Sequence, residues 1–137
     1  MKNFLLFILL LGLGFSQSKV SIQDKEIEIN ENEAVVEVLG MVCSMCAFGI
    51  GEGFAKTDFI DKSKFTDGVS VDIDAQYVQL SLLESTNINP EKIVQVIEDA
   101  GYDVNLLFIH QNEKLTKFSK DKLGILQPIA SNVSNKK

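Results

Sequence analysis

The stretch VLGMVCSMC (residues 38–46) ends an apolar, β-prone run and contains both cysteines of the chain, Cys43 and Cys46. Ser44 lies between them, where it can serve as the N-cap of a following helix. Two thiols separated by two residues, in a loop that leads into a helix, can hold a soft metal ion or cycle between dithiol and disulfide. The stretch therefore predicts a strand, a thiol-bearing loop and a helix, in that order.

The sequence on either side of this stretch has the periodicity of alternating strands and amphipathic helices. The second helix has the clearest start signal, with Asn89 as N-cap and Pro90 in the first helical position. The predicted elements are a strand over 34–39, a helix from 44 with Cys46, Ile50 and Phe54 on one face, a hairpin of strands over 69–74 and 77–83, a helix from 90 to 100, and a strand over 102–109.

This order of strand, helix, strand, strand, helix, strand is that of an α+β, ferredoxin-like βαββαβ sandwich, in which a four-stranded antiparallel sheet carries two helices on one face. The loop with Cys43 and the loop with Gly101 and Tyr102 would then lie at the same end of the sheet.

The first sixteen residues have the features of a secretory signal peptide. Lys2 precedes an apolar run that stops at Phe15, and small residues place cleavage before Gln17 or just after Ser18. A retained membrane anchor is the alternative, but the run is shorter than the ~20 residues that a spanning helix needs. No later segment is apolar enough to insert into a membrane. We expect a secreted or periplasmic protein.

The rest of the chain divides into three parts. We expect a polar N-terminal extension over 17–32, the domain itself over 33–110, and a loosely ordered C-terminal tail over 111–137. The extension contains one alternating run, Ile22 to Ile29, that suits an edge strand or a hairpin arm. Within the domain, the mixed segment 56–66 is expected to fold Phe59, Ile60 and Phe65 back onto the core.

The charge of the chain excludes one class of partner. The net charge is −6, and all thirteen basic residues are lysines. An acidic chain without arginine lacks the electrostatic footprint of a nucleic-acid-binding protein. We therefore expect no nucleic-acid partner.

The motif Gly40-Met41-x-Cys43-x-x-Cys46 after the first strand, with Ala100-Gly101-Tyr102 at the end of the second helix, resembles the heavy-metal-associated (HMA) domain. That family includes copper chaperones, the amino-terminal domains of copper- and zinc-transporting P-type ATPases, and the periplasmic mercury-binding protein. The resemblance covers roughly residues 33–109. An exported single domain is most similar in layout to the mercury-binding protein.

The resemblance implies that Cys43 and Cys46 are metal ligands. Soft thiolates select Cu(I), Hg(II), Zn(II) or Cd(II) over hard cations. Two sulfurs suit a two-coordinate ion such as Cu(I) or Hg(II), whereas tetrahedral Zn(II) requires two further ligands. We expect Cu(I) first. The alternative is a plain stabilising disulfide, although a loop closed by two intervening residues stabilises little on the chain-entropy model.

Three other side chains have possible roles at this site. Met41 either supplies a thioether ligand or turns into the core and supports the loop, as the family pattern implies. Tyr102 matches a position that bacterial members of the family use near the metal, and a tyrosine at the edge of the core is the alternative. His110, the only histidine, is expected to be solvated.

The leading hypothesis is a carrier or scavenger of a soft metal ion, not an enzyme. We expect a monomer that passes the ion by ligand exchange to a metal-transporting membrane protein or another dithiol carrier. A thiol-disulfide redox protein, with Cys43 as the attacking thiolate and Cys46 as the resolving thiol, is one alternative. The other is an interaction module that docks through residues 59–65.

Overall fold

The computed structural model describes residues 17–120 and 126–129, so the proposed signal peptide and the last eight residues lie outside the described part. Its elements are β1 (Ser18–Ile22), β2 (Lys25–Ile29), β3 (Glu33–Leu39), α1 (Ser44–Ala55), β4 (Val69–Asp72), β5 (Tyr77–Ser81), α2 (Pro90–Asp99), β6 (Asp103–Gln111), β7 (Lys114–Lys120) and β8 (Leu126–Ile129). Within that part, no helix is long and apolar enough to cross a bilayer.

The segment from β3 to β6 has the ferredoxin-like arrangement that the sequence predicts. The strands lie in the order β4-β5-β3-β6, and each neighbouring pair is antiparallel. Alternate residues of β3 face α1 and α2, because successive side chains of a strand point to opposite faces. The main core consists chiefly of Val36 and Val38 from β3, Ile50 and Phe54 from α1, Val78 and Leu80 from β5, Ile93 and Ile97 from α2, and Val104 and Leu107 from β6.

The prediction of a four-stranded sheet is wrong, because β7 and β8 extend the sheet to six strands. Asn112 and Glu113 both have positive φ, at 55° and 60°. Two such residues allow the two-residue turn that reverses a strand directly into its neighbour. Phe118 and Leu126 then pack against the main core. Residues 114–120 and 126–129, which the sequence assigned to a loose tail, are therefore strands.

The N-terminal extension forms a hairpin on the other face of the sheet. Its strands β1 and β2 are joined by a turn in which Gln23 and Asp24 have positive φ. This separate two-stranded sheet buries apolar side chains against Val35 and Phe108. The residues that it contributes are Val20, Ile22, Ile27 and Ile29.

The segment between α1 and β4 is only partly folded back. Phe59 and Ile60 are buried, and the ring of Phe59 packs edge-on against Phe54 with centroids 6.4 Å apart. Phe65 instead has a φ of 53° and an exposed side chain, so the expectation that it joins the core is wrong.

Candidate metal centre

A short loop carries the chain from β3 into α1 and presents the first thiol. Gly40 begins the loop with a φ of 90°, a conformation in which a Cβ atom is strained. Cys43 is the N-cap and has an extended backbone, whereas Ser44 is already helical. The prediction that Ser44 caps the helix is therefore wrong by one residue.

The two thiols meet at the N-terminus of α1. The Sγ atoms of Cys43 and Cys46 are 2.8 Å apart, and both cysteines are free. The backbone N–H of Cys46 donates to the carbonyl oxygen of Cys43 at 3.1 Å, which closes the first turn. Cys43 is exposed and Cys46 is partly exposed, so the pair is accessible from solvent.

The pKa of Cys46 is lowered from 9.0 to about 7. The largest cause is the hydrogen bond from the thiol of Cys43, followed by that from the hydroxyl of Tyr102 and then that from the backbone N–H of Val42. Each of these donors stabilises the thiolate. A substantial fraction of Cys46 is therefore ionised near neutral pH, and the thiolate is the form that binds metals and attacks disulfides.

Tyr102 reaches the site from the other side of the fold. Gly101, with a φ of 93°, ends α2 and turns the chain into β6, and Tyr102 follows it. The hydrogen bond with Cys46 is also the largest cause that raises the pKa of the Tyr102 hydroxyl, because it stabilises the protonated phenol that donates it. The structure thus places Tyr102 beside the thiols.

Met41 lies below the loop with a fully buried side chain in the main core. Its backbone, together with that of Gly40, is hydrogen-bonded to the side-chain amide of Gln76 in the turn between β4 and β5. The sequence analysis missed Gln76, because its pattern indicates only a hairpin turn at this position.

His110 is distant from the thiols along the sheet. It pairs with Glu33 at the start of β3, whereas Cys43 follows the end of that strand. His110 is only 6% exposed, and its Nε2 lies 3.4 Å from a carboxylate oxygen of Glu31. The expectation of a solvated histidine is therefore wrong, because the N-terminal hairpin and β7 enclose this face of β6.

The segment that carries the thiols is apolar and uncharged. No charged residue occurs between Glu37 and Glu52 in the sequence. Val42 is 83% exposed, Met45 72% and Phe48 63%. We call these three residues the apolar rim. Exposed apolar side chains grouped beside a reactive site are typical of an interaction surface.

In residues 17–120 and 126–129, no group of three or more His, Cys, Asp or Glu side chains is arranged to hold a metal ion. The metal-binding atoms that the described residues bring together at the loop are the two sulfurs of Cys43 and Cys46.

The segment from β3 to β6 resembles the HMA domain in its element order, in its strand order and in the position of the thiol pair. A scan against protein-family models and a search of curated proteins find no match. Solved structures similar to this chain include the CopZ metallochaperone (24% identity, 53% of this chain and 97% of that chain, TM-score 0.44). They also include the yeast copper transporter domain Ccc2a (22% identity, 53% of this chain and 90% of that chain, TM-score 0.44). A third is a copper-binding domain of HMA7, a P-type ATPase (20% identity, 53% of this chain and 89% of that chain, TM-score 0.45). At these identities and TM-scores, the similarities carry no argument about function.

Proposed function

We propose that this protein binds one soft metal ion, first of all Cu(I), between the sulfurs of Cys43 and Cys46 and passes it on by ligand exchange. The observation that carries the proposal is the accessible thiol pair, with its sulfurs 2.8 Å apart and the pKa of Cys46 lowered to about 7. A soft ion gains most from thiolate ligands, and a partly ionised pair loses few protons on binding it.

The number of ligands favours a two-coordinate ion. Zn–S bonds are about 2.3 Å long, and Zn(II) sites are tetrahedral. Cu(I) and Hg(II) accept two sulfurs, so either ion needs no ligand beyond the pair once the two sulfurs, 2.8 Å apart, separate to hold it. An ion with only two protein ligands also leaves space for an incoming thiolate, which suits transfer to another dithiol.

The apolar rim supports a protein partner for this transfer. Val42, Met45 and Phe48 lie within five positions of Cys43 in the sequence, are exposed and carry no charge. A metal-transporting membrane protein or a second dithiol carrier with an apolar surface around its own thiols would pair with this rim. Such contacts exclude water from the site while the ion changes ligands.

We further infer that residues 1–16 direct export, as their apolar run and small residues at the cleavage site suggest. Expression of the whole chain followed by cell fractionation and mass spectrometry tests this inference. A product that begins at Gln17 or Lys19 outside the cytoplasm is expected. An intact Met1 in the cytoplasmic fraction would contradict it.

A thiol-disulfide redox protein is the second candidate, because the same lowered pKa activates a thiolate for disulfide exchange. The sequence suggests Cys43 as the attacking thiolate of this alternative, but the structure lowers the pKa of Cys46. The reduction potential of the pair separates the two functions. A potential close to those of dithiol oxidants, together with weak metal binding, would favour the redox function.

The direct test is a titration of the reduced, oxygen-free protein with Cu(I) in competition with a chelator, with Hg(II) and Zn(II) in parallel. We expect one tightly bound equivalent of Cu(I). A Cys43→Ser, Cys46→Ser double variant should lose this binding, and His110→Ala, which removes the only imidazole, should retain it. Absence of tight binding by the wild-type protein, or equal binding by the double variant, would contradict the proposal.

A further inference from the structure

The side-chain amide of Gln76 holds the loop that precedes the thiols. Its Oε1 accepts hydrogen bonds from the backbone N–H groups of Gly40 at 3.1 Å and Met41 at 3.0 Å. Its Nε2 donates to the carbonyl oxygen of Met41. One side chain thus satisfies three backbone groups in a segment that belongs neither to β3 nor to α1, where the backbone has no regular partners.

The backbone of Gln76 is held in the same place. Its carbonyl oxygen accepts a hydrogen bond from the N–H of Val38 at 2.9 Å, and its Nε2 also donates to the carbonyl oxygen of Ile73 at 2.6 Å. Gln76 has a φ of 58°, where glycine or asparagine is more usual. Glycine would adopt this positive φ without strain, so what glutamine adds at this position is its side-chain amide.

The peptide group between Met41 and Val42 connects this amide to the metal site. In a planar trans peptide, the C=O and N–H groups point in opposite directions. The hydrogen bond from Gln76 to the Met41 carbonyl oxygen therefore also sets the direction of the Val42 N–H. That N–H is one of the groups that lower the pKa of Cys46. The Met41–Val42 peptide thus lies between the amide of Gln76 and one of the two sulfurs.

We propose that Gln76 is a positioning residue of the metal site, because its amide orients the Met41–Val42 peptide and holds the loop in the conformation that presents both sulfurs to the ion. This inference rests on the proposed function, since it assigns Gln76 to the dithiol as a metal site. Without the amide, the loop samples other conformations and the ion dissociates faster. Gln76 itself touches no ion.

The chain offers a matched control for this proposal. Gln79 also lies on the β5 hairpin, and its Nε2 donates to the carbonyl oxygen of Glu28 and to the carboxylate of Glu33, both at 2.9 Å and both away from the thiols. Gln76→Met and Gln79→Met each replace an amide by an apolar side chain of similar length. Gln76→Met removes four side-chain hydrogen bonds and Gln79→Met two, but only Gln76→Met removes those of the metal loop.

The experiment measures the rate at which the loaded full chain gives its Cu(I) to a chelator. We expect Gln76→Met to release the ion about five- to ten-fold faster than the wild type, as the loss of about one net hydrogen bond predicts, and Gln79→Met to stay within about two-fold. Equal rates for the two variants would overturn the proposal. If Gln76→Met does not fold, Gln76→Glu, which keeps an acceptor for the N–H groups of Gly40 and Met41 but loses the donor to the carbonyl oxygens of Met41 and Ile73, replaces it in the same comparison.

A second readout uses the metal-free protein, so it does not depend on the proposed function. Hydrogen exchange of the Gly40 and Met41 amides should accelerate in Gln76→Met and stay unchanged in Gln79→Met, with the Val42 amide resonance shifted only in the former. Unchanged exchange in Gln76→Met would overturn the role of Gln76 in the loop. If exchange accelerates in Gln76→Met but the wild-type protein binds no ion, the role of Gln76 in the loop is retained and the metal site is rejected.

Discussion

The hydroxyl of Tyr102 donates a hydrogen bond to the sulfur of Cys46, and this contact lowers the pKa of the thiol while raising that of the phenol. The two residues are 56 positions apart in the sequence but lie at the same end of the sheet. The loop after α2 thus acts directly on the first turn of α1. This contact can be removed by deleting one oxygen atom.

Tyr102→Phe should raise the pKa of Cys46 above about 7, since one of the four hydrogen bonds that lower this pKa is lost. The direction follows from the charge: a donor stabilises the anion, so its removal favours the protonated thiol at neutral pH. Alkylation of each cysteine by iodoacetamide, followed over pH by mass spectrometry, measures the change. Tyr77→Phe, the same substitution at the only other tyrosine, should leave the profile unchanged.

Met41→Leu should retain metal binding, because the buried side chain supports the loop from the core. A volume-conserving exchange of this kind costs less than about 1.5 kcal/mol, whereas Met41→Ala should reduce the free energy of unfolding by about 2–5 kcal/mol. Urea denaturation measures the stability and the Cu(I) titration the binding. A folded Met41→Leu variant that loses its Cu(I) affinity would make the thioether a ligand.

The glycines of α1 should respond differently to alanine. A Cβ atom at Gly51 would meet nothing within 4 Å, so Gly51→Ala should stabilise the protein by about 0.5–1 kcal/mol through helix propensity. At Gly53 a Cβ atom would lie 3.0 Å from Cγ1 of Val96, so the close approach of α1 to α2 should offset that gain. Equal stabilisation by both substitutions in urea denaturation would contradict this packing.

Lys25→Met should raise the pKa of Asp72, which its hydrogen bond with Lys25 and then that with the N–H of Ala75 hold below the ordinary value. The carboxylate stabilises the folded state above the pKa of the unfolded chain, and this contribution is lost as the pH falls through the lower folded-state pKa. Lys25→Met should therefore be slightly less stable than the wild type at neutral pH and equally stable at low pH. Carboxyl NMR titration measures the pKa, and an unchanged value would show that the contact does not form in solution.

The elements with strong local signals could be predicted from the sequence. Asn89 caps α2, with its side chain accepting from the N–H of Glu91 at 3.0 Å, and Pro90 is the first helical residue, as expected. The alternation of Val78 and Leu80 also predicts their burial correctly. These signals act over a few residues, so they survive in any tertiary context.

The features that were missed depend on long-range contacts. Charged residues in β2 weaken the strand signal of the N-terminal hairpin. The buried face of this hairpin packs against Val35 and Phe108, which come from strands distant in the sequence. The strand over 114–120 is short of apolar residues and is held largely by pairing with β6. Gln76 likewise acts on residues 35 and 36 positions earlier, a contact that no local pattern indicates.

X-ray absorption at the copper edge of the Cu(I)-loaded protein tests the central claim most directly. With Cys43 and Cys46 as the ligands, the spectrum should show two sulfur neighbours and no nitrogen or oxygen neighbours. Loss of the sulfur neighbours in the Cys43→Ser, Cys46→Ser variant should accompany loss of binding. Nitrogen or oxygen neighbours in the wild-type protein, or sulfur neighbours that persist in the double variant, would contradict a metal site made of these two thiolates.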